Sequence, residues 1–82
     1  MEYFFDIATP DEIKSFYPSY DDPEIMAMAR QSLIDNPDEN YAELTHLWHC
    51  RGNLEKEKEC LNKIKDFAIK LRTSMLMYEW EG

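Results

Sequence analysis

From Leu54 to Glu81 the chain runs without a single Gly or Pro. Leu54, Leu61, Ile64, Phe67, Ala68, Leu71, Met75 and Tyr78 recur along it at spacings of three, four or seven. That is the 3.6-residue period of an amphipathic helix. Glu55, Lys56, Glu59, Lys63, Lys70 and Arg72 fall largely on the opposite arc. The pattern predicts one helix over 54–80, roughly 40 Å long at 1.5 Å per residue. In an 82-residue chain such an element would be the one along which the others pack.

The earlier part of the chain is punctuated by prolines. Thr9-Pro10-Asp11-Glu12 reads as a helix start, with Thr9 as cap, Pro10 in the first position and Glu12 completing a capping box. Pro18 stops that helix, which is expected over 10–17. Asp22-Pro23-Glu24 repeats the start signal for a helix over 23–35. Its apolar face is drawn from Ile25, Met26, Ala29, Leu33 and Ile34, with Met28 at the edge. Asn36-Pro37-Asp38 reads as a connection to a helix over 39–51, buried through Tyr41, Leu44, Leu47, Trp48 and Cys50. Gly52 suits the left-handed closing residue and Asn53 the next cap, which makes 39–80 an antiparallel hairpin. Residues 1–9 are expected as an N-terminal arm, its Tyr3, Phe4, Phe5 and Ile7 laid as a lid over the helices. The fold class is therefore all-α, a small single-domain bundle with a helical hairpin and one long C-terminal helix.

Residues 24–69 resemble a single tetratricopeptide-repeat hairpin. DNPDEN stands at the boundary between helices, and YAELTHLWHCRGNLEKEKECLNKI follows as a pair of helices. Tyr41, Leu44, Trp48, Gly52 and Leu61 occupy the positions where that family places large packing residues and its turn glycine. Glu57 and Ile64 stand where the family has small residues, and Ile69 where it closes on proline. The resemblance implies a scaffold for protein contacts and no chemistry, and it assigns no binding residues.

The net charge is −8 and unevenly distributed. Residues 1–53 hold 11 acids and 3 bases, while residues 54–82 hold 6 of each. Phosphate-binding surfaces need Lys and Arg, so direct binding of nucleic acid or an anionic membrane is not expected. A protein partner, including a basic one, is compatible with this balance. No apolar run reaches the length of a membrane span, and MEYFFDIATP lacks the basic start of a signal peptide. These features predict a cytoplasmic protein with reduced Cys50 and Cys60.

Candidate chemistry is sparse. His46 and Cys50 share a helix face, Cys60 returns to their level across the turn, and His49 points away from Cys50. A zinc site needs three or four convergent ligands and usually a CxxC knuckle. Neither is evident, so no metal or cofactor is expected. There is no phosphate-binding Gly-rich loop, HExxH or GxSxG, and the reading is non-enzymatic. Two surfaces remain. Met75, Leu76, Met77 and Trp80 crowd every direction of the C-terminal helix end. Such a helix end is covered either by the N-terminal MEYFF arm or by another chain, and a homodimer is one form of the second. Asp11, Glu12, Asp21, Asp22, Glu24, Asp38 and Glu39 form an acidic set. The expected function is thus a protein-binding adaptor or regulator. The alternative is a phage or mobile-element inhibitor whose acidic face blocks a nucleic-acid-binding protein.

Overall fold

Among the described residues, three of the six helices begin on a proline: α2 (Pro10–Phe16), α3 (Pro23–Asp35) and α4 (Pro37–Cys50). Proline fits the first helical position because its fixed φ matches the helix and its missing N–H would be unsatisfied there anyway. The others are a single turn α1 (Phe4–Ile7), α5 (Leu54–Lys63) and α6 (Phe67–Glu81). The computed structural model describes residues 2–81, with side chains through Met75. It is an all-α bundle with no strand among the described residues.

The caps read from sequence are in place. Thr9 Oγ1 accepts the Glu12 N–H at 3.3 Å, and Glu12 Oε1 accepts the Thr9 N–H at 2.9 Å. Asp22 Oδ1 accepts the N–H groups of Glu24 and Ile25. Gly52 closes α4 at φ +76°, a conformation L side chains rarely adopt. Asn53 then caps α5 by accepting the Lys56 N–H at 3.1 Å. The start of α4 differs from the expectation of residue 39. Asn36 ends α3 and begins α4 at once, so Pro37 is a helical residue and not part of a connection. The physical reason is steric: the residue before a proline is pushed out of the helical region, and Asn36 lies at φ −123°, ψ 83°.

The organising element is α4, not the C-terminal stretch. It packs against α1, α3, α5 and α6, and Asn40, Ala42, Leu44, Thr45 and Leu47 are buried along it. Tyr41 and Trp48 are partly buried at its margins, while Cys50 is exposed. On α3, Leu33 is buried and Met26 and Ala29 pack against the core, but Ile25 and Ile34 are exposed.

The stretch expected as one helix over 54–80 is two helices, α5 and α6, broken at 64–66. A straight 40 Å rod would exceed the molecule's longest dimension of 33 Å. The break is held from a distance. Asp38, on the first turn of α4, accepts the Lys65 N–H at 3.1 Å on one carboxylate oxygen and the Asp66 N–H at 2.9 Å on the other. Asp66 in turn caps α6, accepting the N–H groups of Ala68 and Ile69. Two acids thus take up the orphan donors that a helix start creates.

The N-terminal segment is also more than a lid. Phe4 is fully buried and contacts the rings of Phe5, Phe16 and Tyr17, with centroids 5.1–6.1 Å away. Its N–H donates to Oδ1 of the fully buried Asn40 at 2.9 Å, and Asn40 Nδ2 donates to the Glu2 carbonyl at 2.8 Å. One buried amide thereby pairs with both backbone groups of the segment, as a neighbouring strand would. At the other end of α4, Arg51 donates through Nε and Nη2 to the two oxygens of Glu12, at 2.8 and 2.6 Å. Nη2 also reaches the Ile7 carbonyl at 3.1 Å.

Candidate functional site

The break at 64–66 changes which way the apolar stripe points. Ile64 stays buried in the core, but Phe67, Leu71 and Met75, read as the continuation of its face, are 74, 47 and 52 % exposed. These three lie at intervals of four on α6, so they form one stripe. The opposite side of α6 faces the bundle. Thr73 is buried, its hydroxyl donating to the Ile69 carbonyl at 2.8 Å, and Ile69 is half-buried. Arg72 Nη2 donates to both oxygens of Glu39, at 3.1 and 3.0 Å, and ties the helix to α4. The stripe is therefore a face that α6 cannot turn inward without breaking these ties. Of the expected contact residues, Met75 belongs to it. The side chains of Leu76, Met77 and Trp80 lie outside the described residues.

The seven acids meet different fates. Glu12 is held by Arg51 and Thr9, and its carboxyl is lowered to about 2, first by the Arg51 hydrogen bond and then by the Thr9 N–H. Asp22 caps α3, Asp38 holds the break before α6, and Glu39 pairs with Arg72. Asp11, Asp21 and Glu24 are exposed and have no ion-pair partner among the described residues. Four of the seven thus serve internal contacts.

A second polar region lies along α4 where α2 and α3 meet it. Tyr17, Ala29, Ser32, Leu33, Asn36, Glu39 and Glu43 line an open groove of about 480 Å³. Burial raises the Glu43 carboxyl to about 7, and the nearby Glu39 adds to the effect while Arg72 opposes it. Burial likewise raises the Tyr17 phenol to about 12, with Glu43 and Glu39 contributing. Further along α4, burial lowers His46, and His49 and Arg72 reinforce the effect. His49 Nδ1 pairs with the buried Glu57 of α5. Glu57, which stands where a small residue was anticipated from the repeat pattern, is accommodated by that pairing.

No three His, Cys, Asp or Glu side chains among the described residues are placed to share a metal ion. Cys50 is exposed and Cys60 buried, both as free thiols, and burial pushes the Cys60 thiol up. A thiol shifted upward is a poor nucleophile at neutral pH. No described helix is long and apolar enough to cross a membrane.

Sequence reasoning missed the exposure of Phe67 and Leu71 because their spacing matches a buried face. It also passed over Glu43, which carries no signal beyond its position four residues after Glu39. Comparison with protein-family models, curated proteins and solved structures finds no match.

Proposed function

We propose that this protein is a small non-enzymatic binding protein, an adaptor or regulator, and that the outer face of α6 is where it meets another protein. The observation that carries the reading is the stripe Phe67, Leu71 and Met75, left 74, 47 and 52 % exposed on a helix whose opposite side is tied down. Uncovered aromatic and Met side chains in a row are characteristic of contact surfaces. The sequence continues in the same character through Leu76, Met77, Tyr78 and Trp80. The phosphate-mimicking inhibitor has weaker support, because four of its seven acids hold the fold together.

The test is site-specific photocrosslinking in the source cells. A benzophenone side chain at position 71 should give discrete adducts, and the same group at position 21 should give none. Phe67→Ser should abolish the adducts from position 71. Absence of adducts at 71, or equal yields at 21, would overturn the assignment of this face.

A further inference from the structure

We propose that α6 is a hinged arm: it swings away from α4 about residues 64–66 and joins α5 in one continuous helix, and this motion sets which way the stripe of Phe67, Leu71 and Met75 faces. The proposal rests on the reading of α6 as a contact face and names how that face is regulated.

The argument begins at the junctions between helices. Pro10 opens α2, Pro18 and Pro23 stand between α2 and α3, and Pro37 opens α4. Gly52, at φ +76°, separates α4 from α5. Proline removes a helical hydrogen bond and glycine at positive φ leaves the helical region, so the residues at these boundaries fix them. The junction of α5 and α6 is Ile64-Lys65-Asp66, three residues that a helix interior accepts at modest cost. Ile64 stands at φ −70°, ψ 121°. Its φ is already helical, and a change in ψ returns it to the helix. The change strands no donor. The Lys65 and Asp66 N–H groups leave Asp38, and the Ala68 and Ile69 N–H groups leave the Asp66 carboxylate. All four find carbonyls four residues back in the continuous helix. The Phe67 N–H, which has no hydrogen-bond partner among the described residues, gains the Lys63 carbonyl.

The docked position of α6 is lightly held. Among its described side chains Thr73 alone is buried, and none belongs to the hydrophobic core. The apolar stripe lies outside and a threonine inside, the reverse of an amphipathic helix laid on a core. The Arg72–Glu39 pair is open to solvent, and such pairs hold weakly.

Straightening also realigns the stripe. In a continuous helix Phe67, Leu71 and Met75 fall within about 60° of Ile64, as do Glu57 and Cys60. Glu57, Cys60 and Ile64 form the buried side of α5, so the swing carries the stripe onto that line. A helix over 54–81 would be about 40 Å long, against 33 Å for the longest dimension of the molecule. Its C-terminal turns would therefore project free of the bundle, where a partner can reach every side of them.

Chemical-exchange saturation transfer and relaxation-dispersion NMR on the Cα nuclei of the full chain test this. A minor state of about 0.1–10 % is expected, exchanging in microseconds to milliseconds, with the Cα shifts of Ile64, Lys65 and Asp66 at helical values in it. Asp66→Ala removes a cap that the bent form alone uses and supplies a better helix former. It should raise the minor population about fivefold. Phe67→Pro puts proline in the first position of α6, as in α2, α3 and α4, where the bent form accepts it and the continuous helix does not. It should abolish the exchange while circular dichroism shows the fold kept; if this variant does not fold, the response to Asp66→Ala decides. No minor state above about 0.1 % would overturn the proposal, as would minor-state shifts at 64–66 typical of an unfolded chain. So would a minor population that Asp66→Ala leaves unchanged or lowers, or exchange that persists in folded Phe67→Pro. Any of these results with adducts still formed at position 71 overturns the hinge alone. The expected exchange without adducts at 71 overturns the contact face and leaves the hinge standing.

Discussion

Asn40 joins the N-terminal segment to α4 through two hydrogen bonds from one fully buried side chain, to the Phe4 N–H and the Glu2 carbonyl. Asn40→Ala would leave the buried Phe4 N–H without an acceptor, which costs about 1–3 kcal/mol, and would remove a second bond worth about 1 kcal/mol. A total of about 2–4 kcal/mol is a large share of the roughly 8 kcal/mol that a domain of this size has in all. At about 1 kcal/mol per molar urea, the midpoint of unfolding should fall by about 2–4 M. Asn40→Asp distinguishes the hydrogen-bond account from mere loss of volume. The introduced carboxylate keeps an acceptor for the Phe4 N–H but sets an oxygen against the Glu2 carbonyl and buries a charge. At pH 7 it should cost at least as much as Asn40→Ala. Protonation restores a donor toward Glu2, so the folded state holds the new group's pKa above its unfolded value of about 3.9. The stability contributed by the protonated form is present below pH ~4 and is lost as pH rises through the raised folded value. The gap between Asn40→Asp and the parent should therefore narrow as pH falls from 7 to about 4. Urea titrations followed by far-ultraviolet circular dichroism at both pH values measure it. A cost below about 0.5 kcal/mol for Asn40→Ala, or a gap for Asn40→Asp that does not narrow in acid, would refute the reasoning.

Glu43, raised to about 7 first by burial and then by Glu39, contributes stability when protonated that is lost as pH rises through that value. Glu43→Gln should raise the melting temperature at pH 8 and change it little at pH 5. Glu12 is shifted the opposite way, to about 2, so the Arg51 pairing stabilises fully above the ordinary carboxylate range and is lost as pH falls toward 2. Denaturation of Glu12→Gln should show a deficit of no more than about 1 kcal/mol that is constant above pH ~4.5 and vanishes in strong acid. Asp38→Ala should cost about 1 kcal/mol and strip exchange protection from the Lys65 and Asp66 amides, read by hydrogen-exchange NMR. Retained protection there would show that the carboxylate does not hold the break.

What the sequence revealed and what it concealed divide along the range of the interactions. The capping box of Thr9 and Glu12, the Asp22 cap and the Gly52 turn are settled within three or four residues, and each was legible. The bend at 64–66 was not, because Ile64 and Phe67 continue a helical period across it and the group that favours the bend, Asp38, is 27 residues from Lys65. Once the bend is unseen, the exposure of Phe67, Leu71 and Met75 is unseen too, since an unbroken helix would keep them on the face of Ile64. The central place of Phe4 was hidden for the same reason: its amide partner lies 36 residues away, and an Asn in a helix carries no mark of burial. The acidic set was legible as charge but not as structure. Its members at helix starts carry capping signals, yet only geometry reveals that Glu12 and Glu39 are claimed by Arg51 and Arg72.

Asp38, Glu39 and Asn40 are consecutive, and each holds a different distant segment: the 65–66 bend, Arg72 of α6 and the backbone of residues 2–4. The first turn of α4 is therefore a shared anchorage. A partner that displaces α6 would pull on the same stretch of backbone that fixes residues 2–4. Fraying of that single turn releases all three segments together. Loss of that turn would therefore loosen the N-terminal segment and α6 together, a shared unit of local opening.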